Sequence, residues 1–222
     1  MPAVQSEIMG GYDLLPRCKT NAKYEKIMKV TILLGSVREG RKTHRVAYYV
    51  EKKLKEKGVE TDLIDLGEEE LPMYGLADKS EEERERIASV GKRLTWGDAL
   101  IFVSPEYQDS FSGVLKNALD HYLEEFEKKA IGVVTVSSGK MAGINASIQL
   151  QLVILGVGAY PMPYKLLIPH ISNSFDDQSE PQNESVIKMT EKFLNEFLWF
   201  ADALVKKKRE EQSSDSGDSS GQ

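Results

Sequence analysis

Residues 27–45 read IMKVTILLGSVREGRKTHR, and this stretch decides the fold. Val30, Ile32, Leu33 and Leu34 form an apolar, β-rich run that stops at Gly35. A continuous run, rather than an alternating one, predicts a central strand buried on both faces. From Thr43 the period changes. Val46, Tyr49, Val50 and Leu54 share one helical face, Lys52, Lys53, Lys55 and Lys57 fall mostly off it, and Gly58 ends the helix. Between strand and helix lies GSVREGRKTH, with Arg38, Arg41, Lys42 and Ser and Thr hydroxyls. A helix N-terminus carries free N–H groups and a partial positive charge. Guanidinium groups that fork onto oxygens make phosphate the expected anion there. An ordinary β–α turn with solvated cations is the plainer reading of the same residues.

The pattern repeats outward from this unit. Strands are expected at 60–66 (ETDLIDL), 98–104 (DALIFVS) and 130–136 (AIGVVTV), with a proline-broken fifth at 159–169. Helices are expected from Ser80, an N-cap with Glu81, Glu82 and Glu83 behind it, to Trp96, and at 111–126, 142–155 and 184–207. Strands alternating with helices predict an α/β fold: a flavodoxin-like three-layer α/β/α domain with five parallel strands in the order 2-1-3-4-5. In such sheets the ligand lies beyond the strand C-termini, where loops 35–44, 104–110 and 137–141 gather. That domain is expected over 27–208. Residues 1–26 read as a flexible extension, and 209–222, ending SSDSGDSSGQ, as a disordered tail.

Composition narrows the function classes. With 222 residues, the chain suits one good-sized domain with tails. A net charge of −6 argues against a general nucleic-acid partner. The single cysteine, Cys18, permits no intrachain disulfide and no cysteine-built metal site. His44, His121 and His170 show no metal-ligand spacing. No apolar run reaches membrane-spanning length and no signal-peptide core is present, so a cytoplasmic setting without a membrane partner is expected.

Two phosphate motifs do not match. GxGxxG is absent, since Ser36 and Val37 follow Gly35. The P-loop pattern needs Lys directly after its second Gly, but Gly40 is followed by Arg41 and only then by Lys42-Thr43. The P-loop stays open as a near miss, and the third option is a loop of Ser, Thr and Arg closing on a single phosphate monoester. Here three segments resemble the NADPH-dependent FMN reductases, the family of quinone, azo-dye and chromate reductases. GSVREGRKTHR resembles GSxRxxS. SPEYQDSFSGVLKNALDHY is similar to PEYNxSxPGxLKNALDW. SSGKMAGINASIQLQLVILGVGAYPMP is similar to SGGxxGGxxAxxQLRxxLxxLGAxxxP. The match spans about 29–169, and the second segment is the specific one. Departures are Arg41 where many members have Ser, Gln108 for Asn, Ser112 for Pro, Ala142 for Gly and Gln151 for Arg.

The resemblance implies a site and a reaction. Ser36, Arg38, Arg41, Thr43, His44 and Arg45 would surround the FMN phosphate. Pro105, Glu106, Tyr107 and Gln108 would line the ring and ribityl chain. Ser138, Gly139 and Lys140, with Gly143 nearby, would offer N–H groups to the ring's pyrimidine edge. NADPH or NADH would deliver electrons, by ping-pong turnover through FMN, to a small-molecule acceptor: a quinone, an azo compound, a metal oxyanion or free flavin. No side chain is expected as general acid or base. A flavodoxin-like electron carrier or flavin-binding sensor is the alternative. The resemblance also implies a homodimer or homotetramer packed through the helices 111–126 and 142–155.

Overall fold

The structure, a computed structural model, describes residues 28–217. β1 (Lys29–Leu34) leads into α1 (Thr43–Glu56), and β2 (Glu60–Asp65) into the short α2 (Leu66–Glu69) and then α3 (Glu81–Trp96). β3 (Ala99–Tyr107) turns back into β4 (Ser110–Phe111), followed by α4 (Gly113–Asp120). β5 (Ala130–Val136) and α5 (Ile144–Gly156) come next. β6 (Tyr160–Pro161), β7 (Leu166–Ile168), the short α6 (Ile171–Ser174) and the long α7 (Glu184–Gly217) complete the order.

The sheet runs β2-β1-β3-β5-β6, with β7 also paired to β5 and β4 folded antiparallel onto β3. This is the expected flavodoxin-like order, with β5 as its fourth strand and the fifth split into β6 and β7. The split has a clear register. Tyr160 and Pro161 pair with Ala130 and Ile131, and Leu166 to Ile168 pair with Val134 to Val136. Residues 162–165 therefore bulge opposite 132–133. Gln151 pins the bulge, donating to the Met162 carbonyl at 3.1 Å and accepting from Lys165 at 3.3 Å.

Both faces of the sheet are buried, as the continuous apolar runs require. Val30, Ile32 and Leu34 of β1 pack with Val46, Val50 and Leu54 of α1, while Phe193 and Phe197 of α7 cover the same face of the sheet. Leu33, Leu100, Phe102 and Val133 face the other way, onto Val90 and Leu94 of α3, Leu115 of α4 and Leu150 and Ile154 of α5. Gly132 admits α7, because a Cβ there would lie 2.9 Å from Phe193. Ser80 caps α3 in a full capping box with Glu83, with bonds of 2.7 and 3.2 Å.

Three boundaries differ from expectation. The loop expected over 105–110 is a hairpin whose turn places Gln108 and Asp109 in the left-handed region, at φ 48° and 58°. The helix expected to run to Phe126 stops at Asp120, because Tyr122 and Phe126 turn inward: Tyr122 donates to the Ile87 carbonyl at 3.0 Å and Phe126 meets Phe102 edge-on. The disordered tail expected from residue 209 gives way to α7, which continues to Gly217. Residues 206–212 (KKKREEQ) are good helix formers, and Lys207 reaches Glu211 one turn on. The expected N-terminal extension and residues 218–222 lie outside the described residues. Among the described residues, no helix is long and apolar enough to cross a membrane.

Candidate functional site

The loop after β1 is built to meet something it does not itself contain. Gly35 sits hard against α4, where a Cβ would lie 2.7 Å from Leu115 Cβ. Its N–H donates to the Val103 carbonyl, and its own carbonyl accepts from Ser112 Oγ at 2.6 Å. Beyond it the pairing ceases. Among the described residues the N–H groups of residues 36–40 find no acceptor. Ser36 is fully buried, and its Oγ has no hydrogen-bond partner among the described residues. α1 begins at Thr43 with no side-chain cap. An orphaned buried hydroxyl beside unpaired N–H groups and an uncapped helix start is the environment a phosphate would satisfy. Arg38 is exposed on this loop and has no ion pair among the described residues.

Two of the expected phosphate cations are engaged elsewhere. Arg41 forks onto Asp65 at the end of β2, with bonds of 2.6 and 2.5 Å, and also donates to the Ser36 carbonyl. Asp65 is only 3% exposed and caps α2 through Gly67 N–H at 2.9 Å, so its carboxylate needs this partner. The hydrogen bond to Asp65 holds the Arg41 proton even more firmly than usual. Arg45 donates to the Phe175 carbonyl at 3.1 Å and pairs with Asp177. Arg41 thus orders the loop from behind, and Arg45 ties the first turn of α1 to the segment after α6. His44 lies at the helix start, packed edge-on to Tyr48, with Nδ1 buried and lacking a well-formed hydrogen bond. Burial, then Arg41 and Arg45, lower its pKa.

The β3–β4 hairpin supplies the second wall. Pro105 is buried in β3, whereas Tyr107 stands exposed at the turn. Glu106 accepts from Ala146 N–H at 3.0 Å and so caps α5 from across the site. Gln149 of α5 grips the turn, donating to the Asp109 carbonyl at 2.7 Å and accepting from Ser110 at 2.6 Å. The third wall is the loop after β5. Gly139 N–H folds back onto Ser137 Oγ at 3.0 Å, while the N–H groups of Ser138 and Lys140 have no acceptor among the described residues. The Lys140 side chain is exposed. Gly143 is required as glycine: it sits at φ 79°, and a Cβ would lie 2.8 Å from Thr135.

These three loops lie where the sheet order places a ligand, beyond the C-terminal ends of β1, β3 and β5. A family model for NADPH-dependent FMN reductases matches residues 28–173. The chain belongs to this family. FMN and NADPH are the cofactors that the family's name carries. A similar protein is the NADPH azoreductase of Bacillus sp. (strain OY1-2), 27% identical over 172 residues, which are 76% of this chain and 93% of that protein. The FMN-dependent NADPH-azoreductase of Staphylococcus aureus (strain USA300) is 31% identical over 116 residues, 50% of this chain and 62% of its own length. The fold also matches a flavoenzyme NAD(P)H:(acceptor) oxidoreductase from Paracoccus denitrificans. Its TM-score is 0.66 at 20% identity, with 82% of this chain and 98% of that one aligned.

Several residues at this site carry more than the sequence reading gave them. Ser112 is the N-cap of α4 and joins that helix to Gly35. A serine just before an apolar helical run is an N-cap signal, so this role is written in the sequence. Asn117 accepts from Tyr74 N–H at 2.8 Å and donates to the Pro72 carbonyl at 3.0 Å, tying the 72–74 loop to α4. No local signal points to that long-range pairing.

Proposed function

We propose that this member of the family binds FMN across the three loops and reduces a small planar acceptor, a quinone or an azo compound, at the expense of NADPH or NADH. The observation that carries the reading is the buried, unpartnered Ser36 hydroxyl beside unpaired N–H groups at the uncapped start of α1. Ser36, Thr43, His44 and Arg38 would hold the phosphate, with Arg41 ordering the loop behind them and Arg45 fixing the first turn of α1. Pro105, Tyr107 and Gln108 would flank the ring. The free N–H groups of Ser138 and Lys140 would meet negative charge at its polar edge, as oxyanion-hole donors do. When bound, FMN supplies the ring that takes up hydride and passes electrons on. The fold's part is to hold, orient and screen, and no side chain needs to transfer a proton. An NADPH-consuming enzyme works where that reductant is supplied, which supports the cytoplasm.

Flavin titration tests the reading. FMN is expected to bind much more tightly than riboflavin. Arg38→Ala should weaken FMN about tenfold or more, from one charge-assisted bond of roughly 1.5–3 kcal/mol, and leave riboflavin nearly unchanged. Equal affinity for the two flavins refutes the phosphate assignment. Negligible NADPH oxidation by FMN-loaded protein, with quinone or azo dye present, would mark an electron carrier instead.

We also propose a homodimer or homotetramer. Ile148, Leu152 and Leu155 of α5 lie at spacings of four and three and are 47%, 64% and 58% exposed. An apolar stripe of this kind on a helix supports a partner surface. Light scattering should give a multiple of 24.9 kDa, and Leu152→Glu should lower it. A monomeric wild-type mass refutes the proposal.

A further inference from the structure

We propose that His170 is a positioning residue that aims the free N–H groups of the loop after β5; this rests on the flavin-site reading above. Three consecutive carbonyls of that loop are held from one side by residues 170 and 171. Ile171 N–H donates to the Ser137 carbonyl at 3.1 Å, and His170 N–H to that of Gly139 at 3.3 Å. His170 Nδ1 lies 3.2 Å from the Ser138 carbonyl. A carbonyl only accepts, so Nδ1 carries the proton in that contact. One residue reaches two successive carbonyls because His170 is in the left-handed region at φ 45°, which turns its N–H and its ring toward the same loop.

The consequence follows from peptide geometry. No peptide bond among the described residues is cis, and in a trans peptide C=O and N–H point opposite ways. Fixing the Ser137, Ser138 and Gly139 carbonyls toward residues 170–171 turns the N–H groups of Ser138, Gly139 and Lys140 the other way. Gly139 N–H is taken up by Ser137 Oγ, which leaves those of Ser138 and Lys140 presented to a ligand. The side-chain bond acts on the Ser138–Gly139 peptide, which links the two free donors and whose own N–H Ser137 Oγ takes up. His170 thus steadies the free N–H groups of Ser138 and Lys140 from the peptide between them, and this is the bond a substitution can remove while the main-chain bonds to the Ser137 and Gly139 carbonyls stay. The same segment is anchored at its far end to α1, through Lys42 to Ser172 and Arg45 to Phe175 and Asp177, so the grip has a fixed base.

Two variants separate the side-chain bond from the backbone conformation. His170→Gly keeps the left-handed turn and the main-chain donor but removes Nδ1. His170→Asn also tolerates that conformation and places an amide donor where Nδ1 was. Titration of full-length protein with FMN and with riboflavin is the test. His170→Gly should weaken both flavins by the same factor, about threefold to tenfold, the range of one neutral hydrogen bond. It should also shift the reduction potential of bound flavin to more negative values. His170→Asn should restore both affinities to within about twofold of wild type. Wild-type affinities in His170→Gly, a loss confined to FMN, or equal loss in His170→Asn would each overturn the proposal. Failure of the wild-type protein to bind either flavin would overturn the flavin-site reading itself, and this inference with it.

Discussion

Ser112→Ala tests how the loop after β1 is held in place. Ser112 is 2% exposed, and its hydroxyl makes two bonds. It accepts from Leu115 N–H at 3.4 Å as the N-cap of α4, and it donates to the Gly35 carbonyl at 2.6 Å. Losing an N-cap costs about 1 kcal/mol. Leaving the Gly35 carbonyl unbonded beneath α4 costs about 1–2 kcal/mol more. Together the expected loss is about 2–3 kcal/mol. For a chain of this size each kcal/mol lowers the melting temperature by roughly 2–4 °C, so a fall of about 4–12 °C is expected. Urea unfolding followed by far-UV circular dichroism, without flavin, measures the loss directly. Ser112→Pro is the informative companion, because proline suits the φ of −64° here. It removes the hydroxyl and also the N–H bond to Ser104 Oγ at 3.1 Å, so it should be less stable than Ser112→Ala. If Ser112→Ala stays within about 0.5 kcal/mol of wild type, the loop is not anchored through this hydroxyl and the reasoning fails.

Arg41→Ala should lower stability by about 3 kcal/mol, because it strands the buried Asp65 carboxylate. Arg41→Lys should recover little of this, since an ammonium cannot replace the two-pronged contact, and a full recovery in urea unfolding would refute the bidentate role. Lys129 predicts a pH dependence. Its Nζ donates to the Leu94 and Thr95 carbonyls at 2.7 and 3.1 Å, at the end of α3. Burial, then the charge of Lys208, pushes its pKa down to about 8, while the charges of Asp98 and Glu125 act to keep the proton on. Below about pH 8 both folded and unfolded chains carry that proton. Above it the unfolded chain keeps the proton and the folded one sheds it, so stability rises with pH from about 8 toward the unfolded lysine value. Unfolding at pH 7.5 and 9.5 should show a rise in wild type, up to about 2 kcal/mol over this window, that is absent in Lys129→Met. Parallel pH profiles in the two proteins would refute the assignment.

The layers of the fold were legible because their cause is local and repeated. The runs at 30–34 and 130–136 can be satisfied only by burial on both faces, and the capping box is written in Ser80 and Glu83. The site was legible as three loops but not as a set of contacts. Arg41 and Arg45 read as phosphate ligands because their partners lie far away in sequence, at Asp65 and at 175–177. Only the pairing of β1 with β2 brings Asp65 to the loop. The hairpin after β3 was hidden for a different reason. Gln108 and Asp109 occupy a turn with positive φ at both positions, where Asn-Gly or Asp-Gly is the usual signal. The early end of α4 shows tertiary burial overriding a helical period, since Tyr122 and Phe126 gain more from the core than from another turn.

The split between β6 and β7 bears on how the molecule avoids its own kind. A parallel sheet open at both sides presents rows of unpaired main-chain groups that another chain can extend. On the β5 side that row is interrupted. Pro161 and Pro163 lack N–H donors, and after Met162 N–H bonds to the Ile131 carbonyl the chain bulges out of register until Leu166. On the β2 side, exposed Glu60 and the Asp62–Arg93 ion pair place charged groups along the strand. Neither margin offers a continuous, uncharged template. The sheet therefore ends where its sequence ends it, and neither margin lends itself to an open-ended ribbon of sheets.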